Sequence, residues 1–201
     1  AAIAGADTLV QLVRSAASDP LAKAIVVRID SPGGDGFAAD LVWRALVEAR
    51  RKGKPVVASL GDVGASGGYL VAVAADAIVA EPATLTGSVG VFALKPDLSA
   101  LLEKIGVHVA SDQRGANARI ASPLRPWTPE ERRLVERQVQ AFYGEFLAKV
   151  AEGRRLPRDE VAAAAEGRVW TGDQALARKL VDRLGSLADA VAIAREKASL
   201  G

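Results

Sequence analysis

Cysteine and methionine are both absent from the 201 residues, and histidine occurs once. Without cysteine there is no disulfide framework, no thiolate metal site and no cysteine nucleophile. Without methionine there is no initiator, so the chain is expected to be cut from a longer polypeptide. Long apolar runs are missing too. The longest, residues 70–80, is interrupted by Asp76 and falls well short of the roughly 20 residues that span a bilayer. Neither sign of charge dominates, with 26 Lys+Arg against 24 Asp+Glu, which argues against a disordered chain or a strongly basic nucleic-acid binder. What remains is 50% hydrophobic and 25% charged, and long enough to bury a full core.

Apolar stretches of strand length alternate with helical patterns, the layout of an α/β domain. Asp7 and Thr8 are placed to cap a helix carrying Leu9, Leu12, Val13 and Ala16, and residues 24–29 read as a buried strand. Ser31-Pro32-Gly33-Gly34-Asp35-Gly36 ends that strand, and a helix over 37–51 follows. The next strand spans 56–60 and runs into a loop, Gly61-Asp62-Val63-Gly64. A small-residue helix from Ser66 leads to a strand over 77–80 and then to the turn-rich residues 85–90. Beyond these, 96–105 reads as helix, 107–110 as a short strand, and the polar residues 111–127 as a mobile loop. Thr128-Pro129-Glu130-Glu131 has the signature of a helix start, predicting a long helix to about Glu152 whose Glu/Arg face, 131–137, is solvated. Shorter helices near 157–165, 173–179 and 187–197 complete what reads as one domain, residues 1–201, without repeat or internal linker.

The sharpest chemical feature is Gly64-Ala65-Ser66-Gly67-Gly68-Tyr69, which sets a serine where a strand-end loop turns into a helix. Free backbone N–H groups and the helix dipole at such a place stabilise an oxyanion beside a nucleophile. The same residues would also serve as a simple cap or a close helix contact. Gly33-Gly34 ends another strand predicted to be parallel, and parallel neighbours deliver their C-terminal loops to one edge of the sheet. The N–H groups of Gly34 and Gly67 are thus expected to converge on one carbonyl oxygen.

A serine nucleophile needs a base, usually histidine. His108 follows Ser66 with Asp76 and Asp97 between, formally the order of an α/β-hydrolase triad. It lies, however, in the alternating apolar segment Ile105-Gly106-Val107-His108-Val109 rather than in a long loop, and reads as structural or surface histidine. A buried lysine is the natural substitute. Lowering its pKa from about 10.4 to about 7.5 takes roughly 4 kcal/mol of destabilisation of the charged form.

Taken together, these residues resemble the signal peptide peptidase A family, also called protease IV, serine proteases with a Ser/Lys dyad on the Clp-protease/crotonase fold. The resemblance runs through Ile29-Asp30-Ser31-Pro32-Gly33-Gly34, Gly53-Lys54-Pro55-Val56-Val57 and Gly64-Ala65-Ser66-Gly67-Gly68-Tyr69. It continues through Leu85-Thr86-Gly87-Ser88-Val89-Gly90, Ser122-Pro123-Leu124-Arg125-Pro126 and Gly167-Arg168-Val169-Trp170-Thr171-Gly172, before Leu180-Val181-Asp182. It implies repeated β-β-α units with a mainly parallel sheet flanked by helices. It also implies Ser66 as nucleophile, Gly34 and Gly67 as oxyanion donors, and Ser88 as the residue orienting the lysine.

The lysine itself departs from the pattern. Its expected place, four residues before Ser122, holds Ala118. Arg119 stays protonated and cannot replace it. Lys95 and Lys104, the nearest alternatives, fall outside the matching position and read as solvated. The base was removed, or comes from a second repeat or subunit as in double-length members, or the copy is degenerate. The chain also lacks the strand that opens family domains, starting at Ala1-Ala2-Ile3 just ahead of the first helix, which again suggests a fragment.

The resemblance implies cleavage of apolar peptides such as signal-peptide remnants, without metal or cofactor, in a homo-oligomeric ring. It places the protease domain on the extracytoplasmic side of a bacterial cytoplasmic membrane, held by an upstream anchor, with no nucleic-acid partner. With Ala118 in place, the chain is expected to be inactive alone. Two other readings compete: a dead copy that binds or scaffolds peptides, and a crotonase-type acyl-CoA enzyme, whose paired N–H groups also hold a carbonyl oxygen.

Overall fold

The structure, a computed structural model, describes residues 4–200. The expectation about a strand ahead of the first helix falls on residues 1–3, which lie outside the described residues. In chain order the elements are α1 (Ala6–Ser18), β1 (Ile25–Ser31), α2 (Gly36–Arg51), β2 (Val56–Ala65), α3 (Gly67–Ala72), β3 (Ala77–Ala80) and β4 (Leu85–Gly87). They continue with α4 (Ser99–Lys104), α5 (Pro129–Arg154), α6 (Arg158–Ala164), β5 (Val169–Thr171), α7 (Gly172–Ala177), β6 (Arg183–Leu184) and α8 (Leu187–Lys197). Two compact units divide them: one runs to Gly90 and resumes at Tyr143, the other is Val91–Phe142.

The sheet of the first unit is organised on β2. Val56, Val57, Ala58, Ser59 and Leu60 are all buried, so the first half of this strand is covered on both faces. A strand covered on both sides belongs inside a mainly parallel sheet. β2 pairs in parallel with β1, β3 and β4, β3 pairs in parallel with β6, and only β4–β5 is antiparallel. Val57, Ala77 and Val79 pack with Ala190 and Ala194 of α8. Alternation sends Val56, Ala58 and Leu60 to the opposite face, and α2 and α3 also pack on β2. The result is an α/β fold with a mixed sheet flanked by helices.

β2 does not end at Leu60. Its first half pairs β3 through Val57–Ser59, its second half pairs β4 through Val63–Ala65, and the ladder to β1 slips between Ile29 and Ser31. Gly61-Asp62-Val63-Gly64, a loop by composition, is therefore a bulged continuation of the strand. Two buried threonines hold it: Thr84 Oγ1 donates to Gly61 O at 2.8 Å and Thr86 Oγ1 to Gly64 O at 2.7 Å. Asp30 Oδ1 accepts from Val63 N at 3.1 Å.

Other elements depart from expectation in smaller ways. α1 starts at Ala6 with Gly5 at its cap and no side-chain cap bond, so Asp7 and Thr8 lie inside the first turn. Residues 107–110 form no strand, and the turn-rich 85–90 contains β4. β5 and β6 have no counterpart in the sequence pattern.

Two carboxylates tie strand ends to helices. Asp76 accepts from Val56 N and pairs with Arg50, while Asp182 accepts from Ile78 N and takes both ends of the Arg154 guanidinium. Burial opposes the charge on Asp182, but Arg154 and the Ile78 amide outweigh it and lower its pKa. Tyr69, fully buried, donates its hydroxyl to Leu180 O at 2.7 Å, and burial pushes the phenol up.

In the second unit, Arg125 forks onto Glu131 at 2.7 and 2.5 Å, and Glu131 Oε2 also accepts from Thr128 N at 2.9 Å. Glu131 N in turn donates to Thr128 Oγ1, completing a reciprocal cap of α5. Glu131 is 1% exposed, so this acid is not part of a solvated face. Residues 111–127 carry no helix or strand, yet their second half is pinned: Trp127 Nε1 donates to Ile120 O, and Leu98 N to Pro123 O.

Tyr69→Phe leaves the buried Leu180 carbonyl without its donor and should cost about 1–3 kcal/mol in urea unfolding. Arg125 and the Thr128 amide hold Glu131 at about 2, below its ordinary 4.5. Its contribution is complete above 4.5 and lost as pH falls toward 2. Acid titration by circular dichroism should show Glu131→Gln weakened at neutral pH and less steep than the parent over that interval.

Candidate active site

Ser66 sits between β2 and α3 with φ 50° and ψ −120°, outside the regions that residues with a Cβ prefer. Its own N–H donates to Gly87 O at 2.9 Å, and its carbonyl accepts from Leu70 N at 2.8 Å. No side-chain cap bond forms, so the helix-cap reading of this serine fails and its hydroxyl is left for other work. The residue is half-buried.

The glycine pair that ends β1 lies against it. A Cβ on Gly33, where φ is +118°, would stand 2.7 Å from Ser66 Cβ and 3.0 Å from Ser66 Oγ. A Cβ on Gly67 would stand 3.3 Å from Gly34 N. The parallel pairing of β1 with β2, Ser31 opposite Gly64, delivers both turns to one edge of the sheet. Ser66, Gly67, Gly33 and Gly34 are thus one cluster. Ala39 of α2 borders it, its Cβ 3.4 Å from where a Gly67 Cβ would be. The start of α2 therefore lies beside the start of α3.

Ser88 follows β4 with φ 50°, the same sign of strain as Ser66. Its N–H donates to Arg168 O at 2.8 Å, and it is half-buried. Ser66 and Ser88 are linked through one residue, Gly87, whose carbonyl takes the Ser66 amide. Sequence reasoning named both serines and set the Gly33-Gly34 turn facing Ser66, but missed residues 167–170 alongside Ser88. The signal was present as the Gly167-Arg168-Val169-Trp170 block, without a position for it.

Ala118 belongs to the second unit, exposed in a turn closed by its N–H to Gly115 O at 3.3 Å. Lys95 is not the solvated lysine that its position suggests. It is half-buried, donates to Ser122 O at 2.8 Å and to Arg125 O, and lies 5.5 Å over the Trp127 ring. Lys104 and His108 are exposed. Asp76 is spent on Arg50 and the Val56 amide, and Asp97 on Ser99, whose hydroxyl and N–H lower its pKa. Neither acid is oriented toward a histidine by these bonds. Among the described residues, no cluster of His, Asp and Glu could hold a metal ion.

Residues 48–201 match peptidase family S49. The chain belongs to that family. It is 45% identical over 196 residues to "Serine protease SPPA, chloroplastic" of Arabidopsis thaliana, covering 97% of this chain and 29% of that protein. It is 41% identical over 196 residues to "Protease 4" of Salmonella typhi, covering 98% and 32%. The chain thus spans about a third of the length of these relatives. Among solved structures, a point mutant of ClpP1 from Listeria monocytogenes superposes with a TM-score of 0.56 at 11% identity, over 92% of this chain and 86% of that one. At that identity the likeness is one of fold, and it is the Clp-protease-like fold. No helix among the described residues is long and apolar enough to cross a membrane.

Gly33→Ala should be costly and Gly34→Ala cheap, since a Cβ on Gly33 meets Ser66 whereas one on Gly34 meets nothing within 4 Å. The backbone strain alone is worth about 1–3 kcal/mol at Gly33. Urea unfolding of the two variants checks the contrast.

Proposed function

We propose that Ser66 is the nucleophile of a peptidase that works by acyl transfer. One observation carries this: a strained serine without a cap bond shares its position with Gly67 and the Gly33-Gly34 turn. Ser66 Oγ attacks the scissile carbonyl carbon and gives its proton to a neutral lysine amine. The resulting oxyanion accepts hydrogen bonds from the N–H groups of Gly34 and Gly67. Collapse breaks the C–N bond, the leaving amine takes the proton, and water hydrolyses the acyl-enzyme. Ser88 orients the lysine.

The lysine is not in this chain's Ala118 position, and Lys95 is committed as a donor to two carbonyls. The base was either removed from this position or is supplied by a second repeat or another subunit, and the isolated chain is inactive. Residues 1–201 act as one protease domain of repeated β-β-α units in a larger, membrane-anchored assembly. That assembly is a homo-oligomeric ring on the extracytoplasmic side, cutting apolar peptides such as signal-peptide remnants. Family membership and the protease names of the relatives support this reading over an acyl-CoA enzyme, which would have no use for Ser66.

The test is hydrolysis of a fluorogenic peptide with an apolar residue before the scissile bond. The chain as it stands should be inactive, Ala118→Lys should gain turnover, and Ser66→Ala in that background should abolish it. Restored turnover would show a self-contained dyad whose base had been removed, whereas continued inactivity of a folded Ala118→Lys protein would mean that the site needs residues from another repeat or subunit, or that the chain is a peptide-binding copy.

A further inference from the structure

The two strained serines hang from one short antiparallel ladder, and one aromatic residue fixes that ladder. β5 lies at the edge of the sheet and pairs with β4 through Leu85–Thr171, Thr86–Trp170 and Gly87–Val169. The clamp extends past the strands: Ser88 N donates to Arg168 O at 2.8 Å, and Gly167 N to Val89 O at 3.0 Å. On the other side of β4, Gly87 O holds the Ser66 amide, and Thr86 Oγ1 holds Gly64 O. Whatever shifts β4 therefore shifts both serines.

Trp170 occupies the space over the residue that links them. A Cβ on Gly87, where φ is +81°, would stand 2.8 Å from Trp170 Cδ1, so the indole edge rests directly on the Gly87 backbone. The ring is fixed from two further directions. Its Nε1–H donates to Ala164 O at 2.9 Å, and the Arg178 guanidinium lies 3.7 Å over its face. A residue held at φ > 0 without being glycine persists only where its surroundings over-determine it, and both Ser66 and Ser88 are such residues. A three-residue edge strand has little rigidity of its own. The indole supplies it.

We infer that Trp170 is a positioning residue, whose packing on Gly87 sets the backbone of Ser66 and Ser88 together. That the two serines act together rests on the peptidase reading; that Trp170 holds them does not. The chain as it exists can be tested by hydrogen exchange with mass spectrometry on peptides covering 61–70 and 84–91. Trp170→Ala should speed exchange in both peptides by about tenfold or more while α8 and β3 keep their protection, and Trp170→Phe, which keeps a ring over Gly87, should restore most of it. If the alanine variant does not fold, Trp170→Leu replaces it.

A second readout is affinity for a peptidyl boronic acid. Serine Oγ bonds to boron, the boron becomes tetrahedral, and the hydroxyl proton passes to water. Trp170→Ala should weaken this adduct and the phenylalanine variant recover it. Exchange in the two peptides within about twofold of the parent, equal acceleration throughout the chain, or a phenylalanine variant no better than alanine would each overturn the assignment. A parent chain that forms no boronate adduct would be consistent with the missing base, and the exchange measurement, which needs no base, then decides the role of Trp170.

Discussion

Everything in the first unit depends on holding one serine in a backbone conformation it would not choose. At φ 50° and ψ −120°, Ser66 carries strain worth about 1–3 kcal/mol, and nothing in its own side chain relieves it. The relief comes from outside: the Gly87 carbonyl on its amide, the Leu70 amide on its carbonyl, and a glycine beneath its Cβ. Each partner has its own support. Gly87 is held by β5, and the bulged end of β2 that leads into Ser66 is held by the hydroxyls of Thr84 and Thr86. A buried hydroxyl that satisfies a buried carbonyl adds only about 1 kcal/mol net, but leaving that carbonyl bare would cost more. The two threonines therefore act chiefly by forbidding alternatives to the bend.

That constraint explains why the sheet mixes directions where it does. Parallel pairing of β1, β2 and β4 brings three C-terminal strand ends to one edge, which is where α/β sites form. Without β5, β4 would be an open edge beside the site. The antiparallel β5 closes it with residues 167–171 and replaces open N–H and C=O groups by a ladder. The Gly-Arg-Val-Trp-Thr-Gly block thus has a local reason for most of its parts: Gly167 and Arg168 bond the backbone of Val89 and Ser88, Trp170 covers Gly87, and Thr171 caps α7.

Much of this layout was legible in the sequence, and what was not has a common cause. α2, β3 and α8 lie close to where periodicity puts them, because their apolar spacing is local and their ends carry local signals such as Ser186 capping α8. Gly61-Asp62-Val63-Gly64 reads as loop by composition, and becomes strand only because β4 and buried hydroxyls receive it. β5 and β6, of three and two residues, have no pattern long enough to read and are defined by their partners alone. Residues 107–110 show the reverse: alternation suits a strand, but no neighbour among the described residues pairs with it. The glycine turns beside Ser66 were readable as strand-end loops, whereas the burial of Glu131 was not, since Arg125 reaches it across a loop.

The chemistry of the second unit bears on what a base in this chain would require. A general base must present a lone pair to the hydroxyl it deprotonates. Lys95 instead directs its protons to the carbonyls of Ser122 and Arg125 and lies over Trp127, an arrangement that uses the group as a donor and cation. Those two carbonyls belong to the Ser122-Pro123-Leu124-Arg125-Pro126 block, and Arg125 in turn is locked to Glu131. Freeing Lys95 would therefore dismantle the segment that would have to present it. Its place in the structure is better explained as the tie that shapes the block following Ala118.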